Sequence, residues 1–153
     1  MRAKPMSLAE IEEFLDREFP QIHEGGRVYA ILDAAPERAR IRIGIEDRHL
    51  RPGGTVSGPT MMALVDLGAY VAILASLGPV ILAVTTSLNI NFLRRPRPGP
   101  LVADCRLIKL GRRLAVAEAE ITAEGHPDLV AHATATYALP LVMEPRSESA
   151  AKP

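Results

Sequence analysis

The run Pro59-Thr60-Met61-Met62-Ala63-Leu64-Val65-Asp66-Leu67-Gly68-Ala69-Tyr70-Val71-Ala72-Ile73-Leu74-Ala75-Ser76-Leu77 decides the fold. Proline suits the first position of a helix and Gly78-Pro79 suits its stop, so the whole stretch is predicted to be helical. Its apolar residues cover nearly the full circumference. A helix of that kind has to be enclosed, by lipid or by its own protein. The length approaches what a bilayer requires. Asp66 at the centre, Gly68 within the run and the lack of a Lys/Arg-flanked entry argue against a span. The expectation is a buried core helix with no membrane contact.

Asp66 is then the anomaly. A carboxylate inside a hydrophobic helix is costly to solvate, so it is paired, protonated or put to chemical use. On the residues alone, a structural carboxylate accepting bonds from a neighbouring strand competes with a catalytic one.

Working outward, Ser7-Leu8-Ala9-Glu10 is a capping box, and Leu8, Ile11, Phe14, Leu15 and Phe19 follow at helical spacing until Pro20. From Arg27 to Glu46 the pattern turns to period two, clearest in Ile41, Ile43 and Ile45, with Pro36-Glu37 between two strands of a hairpin. After the central helix come four strand stretches, Val80 to Leu93, Leu101 to Leu110, Arg113 to Thr122 and Leu129 to Leu139, separated by turn chemistry and expected to form an antiparallel meander. Ala115, Ala117 and Ala119, and again Ala131, Ala133 and Ala135, line strand faces with small side chains that let a helix approach closely. The architecture implied is α+β: one long helix wrapped by a curved antiparallel sheet of about six strands. We divide the chain into an N-terminal helical segment (1–24), the main domain (25–142) and a polar tail (143–153) expected to be disordered.

With 153 residues and 48% hydrophobic content the chain can bury a single core, and 18 basic against 18 acidic residues give no field to attract nucleic acid. Cys105, the only cysteine, excludes an internal disulfide, and four scattered histidines offer no metal spacing. His49 is expected in a surface or capping role. The amino terminus MRAKPMSLAEIEEF lacks the apolar core of a secretion signal, so the expected location is the cytoplasm.

The element order resembles the hotdog fold. Arg51-Pro52-Gly53-Gly54-Thr55-Val56-Ser57-Gly58-Pro59, followed by Ala63-Leu64-Val65-Asp66, is similar to the loop and helix start of acyl-CoA thioesterases of the phenylacetate-degradation type. The segments 84–94 and 111–118 resemble that family's strands, and the resemblance covers about residues 25 to 140. It implies Asp66 as catalytic carboxylate, the Gly58 backbone N–H facing the thioester carbonyl, and Thr85 as the hydroxyl beside the carboxylate. Arg51, Ser57 and Pro59 stand in place of the family's Asn, His and second Gly, and with Val84 they are expected to contact substrate. Pro59 has no N–H to offer.

Eight residues of helical rise separate Gly58 from Asp66 by about 12 Å, so one chain cannot bring both to one carbonyl. The resemblance implies a homodimer with the site at its interface. The polar face of Ser87, Asn89 and Asn91 makes a dimer of dimers plausible. Arg94 (with Arg95 and Arg97), Arg112 and Arg113 (with Lys109) are expected near adjacent strand ends, where a 3′-phosphate and a pyrophosphate would suit them. The expected activity is hydrolysis of an acyl-CoA thioester with Asp66 as general base or nucleophile, needing no metal and no cofactor, coenzyme A being part of the substrate. The acyl pocket is expected along the central helix, Tyr70 and the N-terminal helix. The alternative is a non-catalytic hotdog module that binds acyl-CoA.

Overall fold

The computed structural model describes residues 4–141, so the proposed tail at 143–153 lies outside the described residues. Helix α1 (Leu8–Glu18) opens with the expected capping box, in which both Ser7 and Glu10 side chains bond back to the backbone, and it buries Ile11, Phe14 and Leu15. Phe19, expected on that buried stripe, sits past the helix end and is 38% exposed. Strands β1 (Tyr29–Ala35) and β2 (Arg38–Ile43) form the hairpin. Its turn puts Glu37 at φ +68, a conformation that side chains rarely adopt. The Glu37 N–H donates to Ser76 Oγ at 2.7 Å, and Ser76 in turn donates to the Ala72 carbonyl at 2.7 Å, so the far end of the central helix holds the turn in place.

Two short strands that the sequence pattern did not indicate, β3 (Leu50–Arg51) and β4 (Thr55–Val56), pair across the Gly-rich loop and deliver the chain into α2 (Gly58–Leu77). Ser57 is the N-cap, its hydroxyl accepting the Thr60 N–H at 3.3 Å. The helix therefore begins one residue before Pro59, which sits second. Gly78, at φ +89, ends it. Leu64, Ala69, Val71, Ile73 and Leu74 are fully buried, and although α2 is long and apolar enough to cross a membrane, most of it lies inside the protein.

The sheet is completed by β5 (Val84–Phe92), β6 (Leu101–Leu110), β7 (Leu114–Ala123) and β8 (Leu129–Ala138), in the order β1-β2-β6-β7-β8-β5 with every neighbouring pair antiparallel. This is the hotdog fold. The meander holds only for β6 to β8. Strand β5 pairs with β8 at the sheet edge, and the Pro-rich segment 93–100 carries the chain back past two strands to β6. That step of three strand spacings, about 14 Å, is well within reach of such a segment. Strand β5 also starts later than Val80, because the Ala83 N–H turns back to the Val80 carbonyl at 3.2 Å and cannot join the ladder.

Alanine rows explain how close the helix sits. Ala117 pairs with Ala135 and Ala119 with Ala133, all nearly inaccessible on the face toward α2. At Gly68 even a methyl group would run into Cys105 Sγ, which accounts for a glycine inside the helix. Burial pushes the Cys105 thiol pKa up to about 12, with Asp104 adding to the rise, so the sulfur is packing material.

Candidate active site

Ala63, Asp66, Leu67 and Tyr70 recur at helical spacing along one stripe of α2, and this stripe forms one wall of a cavity of about 940 Å³. Ala83, the start of β5 (Val84, Thr85) and Tyr137 of β8 form a second wall. The third comes from Phe19 and Ile22 after α1, with Tyr29, Arg48 and His49 beyond them. The N-terminal segment thus shapes the cavity, as does Tyr70.

Asp66 is half-buried, and its Oδ1 accepts two hydroxyls: Thr85 donates to it through a short bond, and Tyr137 donates at 2.7 Å. The Tyr137 hydroxyl also lies 2.8 Å from the Asp66 main-chain carbonyl, so its single proton is shared between two acceptors on one residue. Tyr137 is 3% exposed, and burial, reinforced by the Asp66 charge, raises its pKa, which keeps it a donor. It stacks parallel to Tyr70 with ring centroids 6.3 Å apart, and Tyr70 is fixed by its own bond to the Val80 carbonyl at 3.1 Å. Oδ1 is thereby pinned, while Oδ2 accepts no bond from any described residue. The carboxylate combines the structural pairing and the open face that the sequence left as alternatives.

Gly58 is elsewhere. It lines a second cavity of about 380 Å³ together with Arg51, Met61, Phe92, Arg94 and Arg95. Its N–H is one of the orphan donors of the α2 start and reaches no acceptor among the described residues. A Cβ there would come within 3.2 Å of Phe92 Cζ, so the glycine Cα packs against that ring. Ser57 is committed to capping, its hydroxyl also lying 2.8 Å from Thr60 Oγ1. Within one chain, then, Asp66, Thr85 and Val84 share one cavity, and Gly58, Arg51 and Arg94 share another.

The arginines do not cluster as expected. Phe92 and Ile121 both pair with Ala131, whereas Val84 and Leu114 both pair with Ala138, so Arg94 and Arg95 follow one end of the sheet and Arg112 and Arg113 precede β7 at the other. Successive connections between antiparallel neighbours alternate ends, and seven or eight residues of strand put the two groups roughly 25 Å apart. Arg94 is partly engaged already, its Nε donating to the Leu129 carbonyl at 3.0 Å.

Two site residues escaped the sequence reading. Tyr137 continues the inward row Ala131, Ala133, Ala135, and a tyrosine ending a row of alanines was a readable sign that one polar group faces the helix. His49 has the capping role expected, Nδ1 accepting the Glu46 N–H at 2.9 Å, but it is 9% exposed and lines the Asp66 cavity.

Residues 53–130 match the family model of the Thioesterase superfamily, and the chain belongs to that superfamily of thioesterase and esterase-type hydrolases. A candidate thioesterase of Silicibacter sp. TM1040 is 42% identical and superposes with a TM-score of 0.79 over 88% of this chain and 92% of that one. A variant of the phenylacetic acid degradation protein PaaI of Thermus thermophilus is 30% identical, with a TM-score of 0.63 over 72% of this chain and 91% of its own. A candidate esterase of Saccharolobus solfataricus is 28% identical over 84% of this chain and 76% of its own length.

Proposed function

We propose that the protein is an acyl-CoA thioesterase of the phenylacetate-degradation type, working as a cytoplasmic homodimer. The observation that carries this reading is the division of labour between the two cavities: one holds an oriented carboxylate with one oxygen open, the other holds a helix-start N–H with no acceptor among the described residues, bordered by arginines. A two-fold axis that sets Asp66 of one protomer opposite Gly58 of its partner completes two identical sites. Strand β5 supports this, since it leaves one sheet edge unpaired and flanks it with exposed Ile81, Leu82, Val84, Phe92 and Leu93. A dimer of dimers would use the polar outer face at Ser87, Asn89 and Asn91.

In the mechanism, Oδ2 of Asp66 takes a proton from a water that attacks the thioester carbon, or attacks that carbon itself to give an anhydride that water then cleaves. The oxygen gaining charge is met by the partner's Gly58 N–H at the positive end of α2. The C–S bond breaks: in the first route the departing thiolate takes the proton held on Oδ2, and in the second it leaves as the anhydride forms and takes its proton from the water that then cleaves the anhydride. Thr85 and Tyr137 keep Oδ1 occupied so that Oδ2 faces the reacting carbon. Arg51, Arg94 and Arg95 border the coenzyme A phosphates, Pro59 contributes no N–H, and no metal or cofactor enters.

Free-thiol release from a panel of short, medium and aryl acyl-CoAs tests the proposal. Asp66→Ala should lower kcat by about 10²- to 10⁴-fold with fold and dimer intact. Acyl-CoA binding without any thiol release by the wild-type protein would instead establish the non-catalytic module.

A further inference from the structure

Thr85 and Tyr137, the two donors to Asp66 Oδ1, are direct cross-strand partners in the ladder between β5 and β8. The ladder alone does not aim Thr85. A register shift follows it, between Thr85 and Ser87, and such irregularities re-aim the side chains beside them. On its other side Thr85 is only one residue inside β5, which begins at Val84. Ahead of the strand runs the segment 79–83, with Ile81 57% and Leu82 72% exposed. Its Ala83 N–H closes a turn onto the Val80 carbonyl at 3.2 Å. Among the described residues one hydrogen bond ties this segment to another element: the Tyr70 hydroxyl donates to that same carbonyl at 3.1 Å.

Tyr70 also meets the second donor. Its ring and that of Tyr137 are parallel to within 3° with centroids 6.3 Å apart, an offset stack that restricts how far the Tyr137 ring can turn. The Tyr137 hydroxyl is thereby kept between Oδ1 and the Asp66 main-chain carbonyl. Tyr70 itself is four residues beyond Asp66, about 6 Å along α2 and on the same face. Burial pushes its phenol pKa up to about 12, with Glu18 adding to the rise, so the hydroxyl stays a donor. One side chain thus acts on both hydroxyls that hold one carboxylate oxygen, through its hydroxyl on Thr85 and through its ring on Tyr137.

We infer that Tyr70 is a positioning residue for Asp66: its bond to Val80 fixes the turn that aims Thr85, its ring fixes Tyr137, and without them Oδ2 no longer holds one direction. The inference rests on the hydrolase reading. Misplacing a reacting oxygen slows the chemical step and leaves substrate binding nearly as it was, whereas a residue that only lines the cavity changes binding.

Thiol-release kinetics on two variants, each placed in backgrounds lacking the donors, test this. Tyr70→Phe keeps the stack and deletes the bond to Val80, and Tyr70→Leu removes both. Tyr70→Phe should lower kcat by about threefold and Tyr70→Leu by about tenfold, with KM changed by less than about twofold. In a Thr85→Val background the cost of Tyr70→Phe should vanish, and in Tyr137→Phe it should persist. With both donors gone, Tyr70→Leu should cost less than about twofold. The same fold loss in every background, or a rise in KM with kcat unchanged, overturns the positioning role and leaves the hydrolase standing. If Tyr70→Leu does not fold, the near-isosteric Tyr70→Phe series decides alone. If the wild-type protein releases no thiol, the hydrolase reading falls, and crystal structures decide: loss of the Thr85 bond to Oδ1 in Tyr70→Phe supports the role, and an intact bond overturns it.

Discussion

The two ends of helix α2's functional stretch are built on opposite plans. Around Asp66 one carboxylate oxygen is held and the other left open: Thr85 and Tyr137 converge on Oδ1, and Tyr70 braces Tyr137 from behind. Around Gly58 an amide with no acceptor among the described residues and exposed arginines border an open cavity. The first region is finished by its own chain and orients one reactive atom. The second supplies donors in search of an anion, which is what a thioester oxygen in transition and a phosphate-bearing carrier both are.

If that contrast is functional, the sharpest break after removal of Asp66 is at Gly58. Gly58→Pro deletes the N–H at a position where proline suits a helix start, and kcat should fall by about 10²- to 10³-fold. Gly58→Ala places carbon against Phe92 but keeps the donor, and thiol-release assays should find most turnover retained. Next in size is Tyr137→Phe. Oδ1 keeps Thr85 but loses its second donor, so kcat should drop by about three- to tenfold with KM little changed, and chemical denaturation should register a loss of about 1 kcal/mol for the missing buried bond. Smallest is Arg94→Ala at the open end, expected to raise KM for coenzyme A thioesters by about threefold while leaving kcat alone, with an effect that shrinks as salt screens the phosphates.

The fold was readable because its controlling features are local or periodic: an all-apolar helix, a capping box, alternating isoleucines and rows of alanine. What the sequence hid was pairing at a distance. Nothing in 93–100 says that β5 joins β8 and not β6, and from that one swap follows the separation of Arg94 from Arg112 and Arg113. Asp66, Thr85 and Gly58 stood out through the motif they sit in. Tyr137 could have been found by extending the Ala131-Ala133-Ala135 row one step inward. The His49 arrangement was not legible, since its tautomer depends on an Nδ1 bond within a short helical turn that no periodicity announces.

In the proposed dimer each working site takes its carboxylate from one protomer and its amide from the other. Mixing Asp66→Ala and Gly58→Pro chains by co-refolding at equal amounts tests it directly, because half of the random dimers contain one intact site assembled from the unaltered halves. Recovery to about a quarter of wild-type thiol release from two nearly inactive parents is expected. Activity no greater than the average of the parents, in mixtures where dimer exchange is verified, would contradict it.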